Sequence, residues 1–203
     1  MKRFVPLALF ILSAPVILGS FERLALVLQQ MGQQDAPWID QRYADHPGLS
    51  FAHILVGLVF FLLGPLQFWE GLRRRARGLH KLLGKLFIAS GLVSGIAVIA
   101  MVVVFPAVGG LLTQVATTII VLAMIGFLFG AYQAARHKQL VRHRAMMIRA
   151  YALGLSVSTA RIFIELAEHF AAISFEDSFT LASAIGVGLN IVVAETWLKV
   201  VKK

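Results

Sequence analysis

The stretch GPLQFWEGLRRRARGLHKLLG, residues 64–84, decides the fold. An apolar run leads into it and a second apolar run leads out. Between them lie Arg73, Arg74, Arg75, Arg77, Lys81 and Lys85, against the single carboxylate Glu70. A basic turn between two apolar runs is how a helical hairpin crosses a bilayer, with the turn on the cytoplasmic side. In a soluble chain the same arginines would suggest a nucleic-acid arm. Between two spans they set topology, so nucleic acid is not an expected partner.

Composition extends this to the whole chain. Its 203 residues are 59% hydrophobic, with mean hydropathy +0.81. Such values exclude an ordinary soluble domain. The chain has no cysteine, which excludes disulfides, iron–sulfur clusters and thiolate metal sites. Each crossing needs ~20 apolar residues. The expected fold is an all-α, polytopic transmembrane bundle of six spans, at about 4–20, 49–69, 82–104, 111–132, 146–166 and 179–198. Together they form a single integral membrane domain, residues 1–203. The first apolar run could be a signal peptide, but Leu18 fits poorly three places before a cut after Ser20, which favours an uncleaved span. Residues 21–31 read as interfacial, 29–50 as a polar loop and 168–178 as another loop.

The charges orient the spans. Lys2 and Arg3 precede the first. The six cations named above follow the second. Arg136, Lys138, Arg142, Arg144 and Arg149 surround the connection between the fourth and fifth. Lys199, Lys202 and Lys203 close the chain. That places 16 of the 19 Lys and Arg on one side, which makes both termini cytoplasmic.

An internal similarity accompanies the topology. FLLGPLQ (61–67) matches FLFGAYQ (127–133) at four of seven positions. With a three-residue gap, His80 aligns with His143, Lys81 with Arg144 and Ala89 with Ala152. The expectation is a duplicated helical hairpin, spans two and three against four and five, related by an axis along the membrane normal. Gly91 with Gly95, and Gly126 with Gly130, have the spacing that lets helices approach closely.

Two constellations could carry chemistry. The inner one is His80 and His143, with His137 nearby. Haem b needs two neutral imidazoles from facing helices, and both histidines open a helix, where the dipole disfavours imidazolium. Arg74, Arg77, Arg144 and Arg149 could then hold haem propionates or anionic lipid head groups. The competing reading is a set of boundary histidines in basic turns. The outer constellation is His53, Arg161 and Glu165. His53 lies ~6 Å inside the outer boundary at 1.5 Å per residue. Arg161 and Glu165 are one turn apart. Ionisable groups inside a span mark pathways or fasten helices. Glu195 is expected to pair with Lys199 four residues on, and Arg149 to snorkel. No metal site is expected.

HILVG (53–57), GPLQ (64–67), LHKLLG (79–84), HRAMMIRAYAL (143–153) and Arg161 together resemble the DUF2306 family of bacterial membrane proteins. The resemblance runs from about Ser50 to Arg161. It implies a multi-pass protein of the bacterial cytoplasmic membrane, with His53, Gln67, His80, His143, Arg149 and Arg161 as recurring polar positions. Ala145 departs from the bulky residue the family places there. A looser resemblance is to two-haem cytochromes of the b561 type. It implies at most one bis-histidine site, since the fourth span holds no histidine to face His53.

Three readings follow. The first is a b-type haem or quinone-linked electron-transfer protein, with a quinone or redox partner. The second is a proton-coupled or small-molecule transporter using His53, Arg161 and Glu165. The third is a structural or assembly protein without catalysis. No hydrolase motif, P-loop or dinucleotide fingerprint points to an enzyme.

Overall fold

The computed structural model describes residues 4–30, 37–105 and 107–201. Lys2, Arg3, Asp35, Lys202 and Lys203 lie outside them. The described elements are all helices: α1 (Val5–Gln30), α2 (Trp38–Asp45), α3 (Pro47–Gln67), α4 (Glu70–Arg75), α5 (Arg77–Val104), α6 (Gly110–Arg136), α7 (Leu140–Ala171) and α8 (Phe175–Val201). Six of them, α1, α3, α5, α6, α7 and α8, are long and apolar enough to cross a membrane.

The helices overrun the expected spans. α7 has 32 residues, or about 48 Å at 1.5 Å per residue, against ~30 Å of hydrocarbon. Its first turns carry Arg142 and Arg144, both exposed. α1 also continues through residues 21–30, where an interfacial break was expected. That segment contains neither glycine nor proline and is rich in leucine and glutamine, so nothing stops the helix. Two short helices replace expected loops. α2 is latched to α1 by an ion pair between Arg23 and Asp40. The Arg23 guanidinium also sits 5.1 Å from the centre of the Tyr43 ring.

Contacts divide the chain into two compact units, Met1–Phe105 and Pro106–Lys203. In unit 1, α3 is the middle helix and packs on both α1 and α5. Its α5 face includes His53, Gly57, Phe60 and Gln67, spaced in steps of four, three and seven. α5 answers with Gly84, Phe87 and Ser94. The rings of His46 and Phe105 lie 5.3 Å apart. Phe60 stacks on Phe87 at 4.4 Å. A Cβ on Gly57 would come 3.0 Å from Ser94 Oγ, and one on Gly84 3.0 Å from Gln67 Oε1. This is the seam of an antiparallel helix pair with a 3.5-residue repeat.

In unit 2, α7 is the middle helix and packs on both α6 and α8. Residues 150–156 are all buried. α8 presents Ser178, Ala182, Gly186, Asn190, Ala194 and Leu198, in steps of four. Gly186 lies against the α7 backbone, where a Cβ would be 2.6 Å from the Ser156 carbonyl oxygen. Asn190 donates to Thr159 Oγ1 at 2.7 Å and to the Gly186 carbonyl at 2.8 Å. Gly109 caps the start of α6 at φ 80°, a conformation suited to glycine. Thr113 and Thr180 hydroxyls meet beside it at 2.8 Å.

The packing does not repeat in the register of the sequence similarity. α3 is a middle helix, whereas its match α6 is a flank; α5 is a flank, whereas its match α7 is a middle helix. Gly91 and Gly95 are buried as expected for close approach, but Gly126 is exposed with open space around it. Gly130 does lie close to its neighbour, where a Cβ would be 2.7 Å from the Met146 sulfur, and the close approach to helix backbone falls on Gly186.

Gly186→Ala forces α8 away from α7 backbone that cannot yield, and should destabilise the protein by about 2 kcal/mol. Gly188→Ala, which meets nothing within 4 Å, should be neutral or gain up to ~1 kcal/mol from helix propensity. Unfolding in mixed micelles measures both. Equal stability of the two variants would refute the close-approach account.

Candidate functional site

Unit 2 holds a groove over α7, between α6 and α8. Ile119, Ala123 and Phe127 of α6, Ala152 and Leu153 of α7, and Val187, Ile191 and Ala194 of α8 line it. Its volume is about 260 Å³. Ile119 and Ile191 are exposed, so the groove opens at the surface of an apolar span. Sites that enclose a drug-sized ligand run ~300–1,000 Å³. This one suits a ring or chain segment of a molecule whose remainder lies outside.

Arg149 and Glu195 supply the polar part of the wall. Arg149 Nε donates to Glu195 Oε1 at 2.6 Å and Nη2 to Oε2 at 2.9 Å. This fork-to-carboxylate fit is the strongest form of the contact. The guanidinium carbon also lies 6.0 Å from the Phe127 ring centre, at the outer limit of cation–π contact. Of the five N–H donors of an arginine, the carboxylate takes two. Arg149 is 35% exposed and Glu195 42%, so neither side chain is sealed inside the wall. The arrangement offers hydrogen bonds to an acceptor while the pair stays neutral. Arg149, expected to reach for head groups, holds Glu195. Glu195, expected to pair with Lys199, is taken by Arg149.

The histidines divide between the units. His53 stands in unit 1. Ser94 Oγ donates to the His53 carbonyl at 3.0 Å and lies 3.1 Å from its Nδ1. His80, half-buried, opens α5 in unit 1. His143 opens α7 in unit 2, and its Nδ1–H donates to the Ala131 carbonyl at 2.9 Å. A carbonyl only accepts, so His143 Nε2 is the free acceptor. His137 is exposed after α6, and His169 packs edge-on against Phe170 at 4.8 Å.

The other nominated residues lie apart. Arg161 is half-buried and Glu165 exposed on α7; no ion pair joins them among the described residues, though they are one turn apart. His53 belongs to unit 1 and these two to unit 2. Arg74 is exposed and pairs with Glu70 at 2.7 Å. Arg77 and Arg144 are exposed. Among the described residues no group of three or more His, Asp or Glu could hold a metal ion. The groove itself escaped the sequence reading. Its signal was two opposite charges in different spans, both near the same end of unit 2, and charges within a span generally find one another.

Removing one partner of the Arg149–Glu195 pair strands the other in an apolar wall. Arg149→Met and Glu195→Leu should each cost about 2–3 kcal/mol, and the double variant much less than their sum. A double-mutant cycle on unfolding in micelles should return a coupling of about 2 kcal/mol. Zero coupling would show that the pair holds nothing together.

Comparison with known proteins gives one match. No curated protein and no solved structure matches the chain. A family model described as a predicted membrane protein (DUF2306) matches residues 50–198. That match covers five of the six candidate spans, from α3 to α8, and the chain belongs to the DUF2306 family of predicted membrane proteins.

Proposed function

We propose that this multi-pass membrane protein binds a lipid-soluble ligand of the quinone class in the groove of unit 2, and serves quinone-linked electron transfer. The observation that carries the reading is an apolar groove of about 260 Å³ that ends on a neutral, bidentate Arg149–Glu195 pair. A quinone head is a neutral ring with carbonyl acceptors, and its tail is hydrocarbon. The uncommitted Arg149 N–H groups suit the carbonyls. Phe127 offers a ring for the head, and Ile119, Ala123 and Ile191 suit the start of the tail. An anionic head suits the wall less, because Glu195 already neutralises Arg149.

Trp197, two residues beyond Glu195 and 37% exposed, is a built-in reporter. Titrating a short-tailed quinone into the purified protein should quench its emission saturably. Ala123→Phe, which fills the groove from an exposed position, should weaken binding at least about tenfold, the equivalent of ~1.4 kcal/mol. Quenching that does not saturate, or that Ala123→Phe leaves unchanged, would sink the reading.

A second reading rests on His143. Its Nδ1–H is held by the Ala131 carbonyl, the outer contact that orients a ligating imidazole through Nε2. Haem b is the cofactor it suits, and His143 would hold its iron through Nε2. After expression with haem precursor, a reduced-minus-oxidised spectrum should show a sharp α-band that His143→Ala abolishes. His80→Ala tests the second histidine the sequence nominates. A colourless, folded protein would end the haem reading and leave the quinone reading standing.

A further inference from the structure

α4 and the first turns of α5 form a basic platform at one end of unit 1. Leu72 is buried and fixes α4, which touches α3 and α5. The Trp69 side chain lies on Gly71, where a Cβ would come 2.9 Å from the indole nitrogen. Trp69 remains 49% exposed. Arg73, Arg74 and Arg75 succeed one another at ~100° steps around the helix, and all three are exposed, as are Arg77, Lys81 and Lys85. Glu70 holds Arg74. Arg73, Arg75 and Arg77 meet no carboxylate among the described residues.

Topology alone does not require this arrangement. The positive-inside effect counts Lys and Arg in short loops and asks for no ordered helix. Here the turn is helical, pinned by an apolar anchor, and flanked by an exposed indole. We propose that this platform binds anionic phospholipids of the surrounding membrane, with Arg73, Arg75 and Arg77 taking the phosphodiester. The partner follows from position and charge. α4 joins two membrane spans, so its cations stand at head-group level. Clustered cations beside a span attract anionic lipid, guanidinium fits phosphate oxygens in pairs, and tryptophan settles at that depth. The sequence nominated Arg74, Arg77, Arg144 and Arg149 for such contacts. Ion pairs occupy Arg74 and Arg149, whereas Arg73 and Arg75 stand free beside Arg77. This site is independent of the groove in unit 2.

Native mass spectrometry of the detergent-purified protein, titrated with phosphatidylglycerol or with phosphatidylcholine of the same chains, tests the proposal. The first phosphatidylglycerol adduct should bind several-fold more tightly, each replacement of an arginine by glutamine at positions 73, 75 and 77 should lower that preference, and the triple variant should lose it. Arg74, Lys81 and Lys85 remain in the triple variant to keep the turn on its side. A control removing equal charge elsewhere, Arg136→Gln with Lys138→Gln and Arg142→Gln, should keep the preference. Equal binding of the two lipids would overturn the proposal. So would an unchanged preference in the triple variant, or an equal loss in the control.

Discussion

Close approach at positions that lack a side chain holds each unit together. In hydrocarbon, helices gain nothing by hiding leucine from one another, because lipid is just as apolar. What remains is dispersion, which needs atoms in contact, and hydrogen bonds between helices. Gly186 brings α8 onto the α7 backbone at Ser156. With the helices that close, Asn190 reaches Thr159 and Arg149 reaches Glu195. In unit 1, Gly57 admits Ser94, and Ser94 then ties down both the carbonyl and the ring of His53. The polar contacts are therefore consequences of glycine placement. They add direction to an approach that small residues permit.

The two seams use different geometries. α3 and α5 mesh at steps of four and three, with Phe60 stacked on Phe87 between polar ends. α8 meets α7 with small residues in steps of four. A 3.5-residue repeat follows a left-handed seam, whereas small residues four apart suit the more steeply crossed pairs seen with glycine contacts. This difference explains why the sequence similarity between residues 61–67 and 127–133 does not carry over into packing. The matched segments lie on helices with different duties: α3 packs on both its neighbours and α6 flanks α7.

Much of the fold could be read from the chain because hydropathy over ~20 residues is a direct physical requirement for crossing lipid. The basic turn at residues 64–84 fixed a hairpin for the same reason. The helix ends were less legible, since arginine and leucine continue a helix past the hydrocarbon boundary, as at Arg77 and Leu140. The family was legible because its motifs fall on the α3–α5 seam and the start of α7. The groove was not. Arg149 and Glu195 lie 46 positions apart, and a local rule pairs Glu195 with Lys199 four residues on. A local pair is a plausible guess for exposed helix surface. Deeper in a span, an arginine without a partner costs more than a distant pairing, and the distant pairing prevails.

That pairing also separates the two surfaces chemically. Arginines occur in both, but their partners differ. Arg149 has its charge cancelled by Glu195 and keeps N–H donors, so it can recognise an acceptor without demanding a counter-charge. Its surroundings, Phe127 and the aliphatic wall, add contact area for a neutral ring. Arg73, Arg75 and Arg77 have exposed guanidinium groups without a carboxylate among the described residues, so the unmet charge itself is what they offer. A neutral amphiphile therefore gains more from the groove, and a phosphate gains more from the platform. On the readings proposed above, one residue type would serve two ligand chemistries, and the difference would lie in whether a carboxylate stands on the neighbouring helix. On the proposed reading, Glu195 is the residue on which a preference for a neutral head would depend.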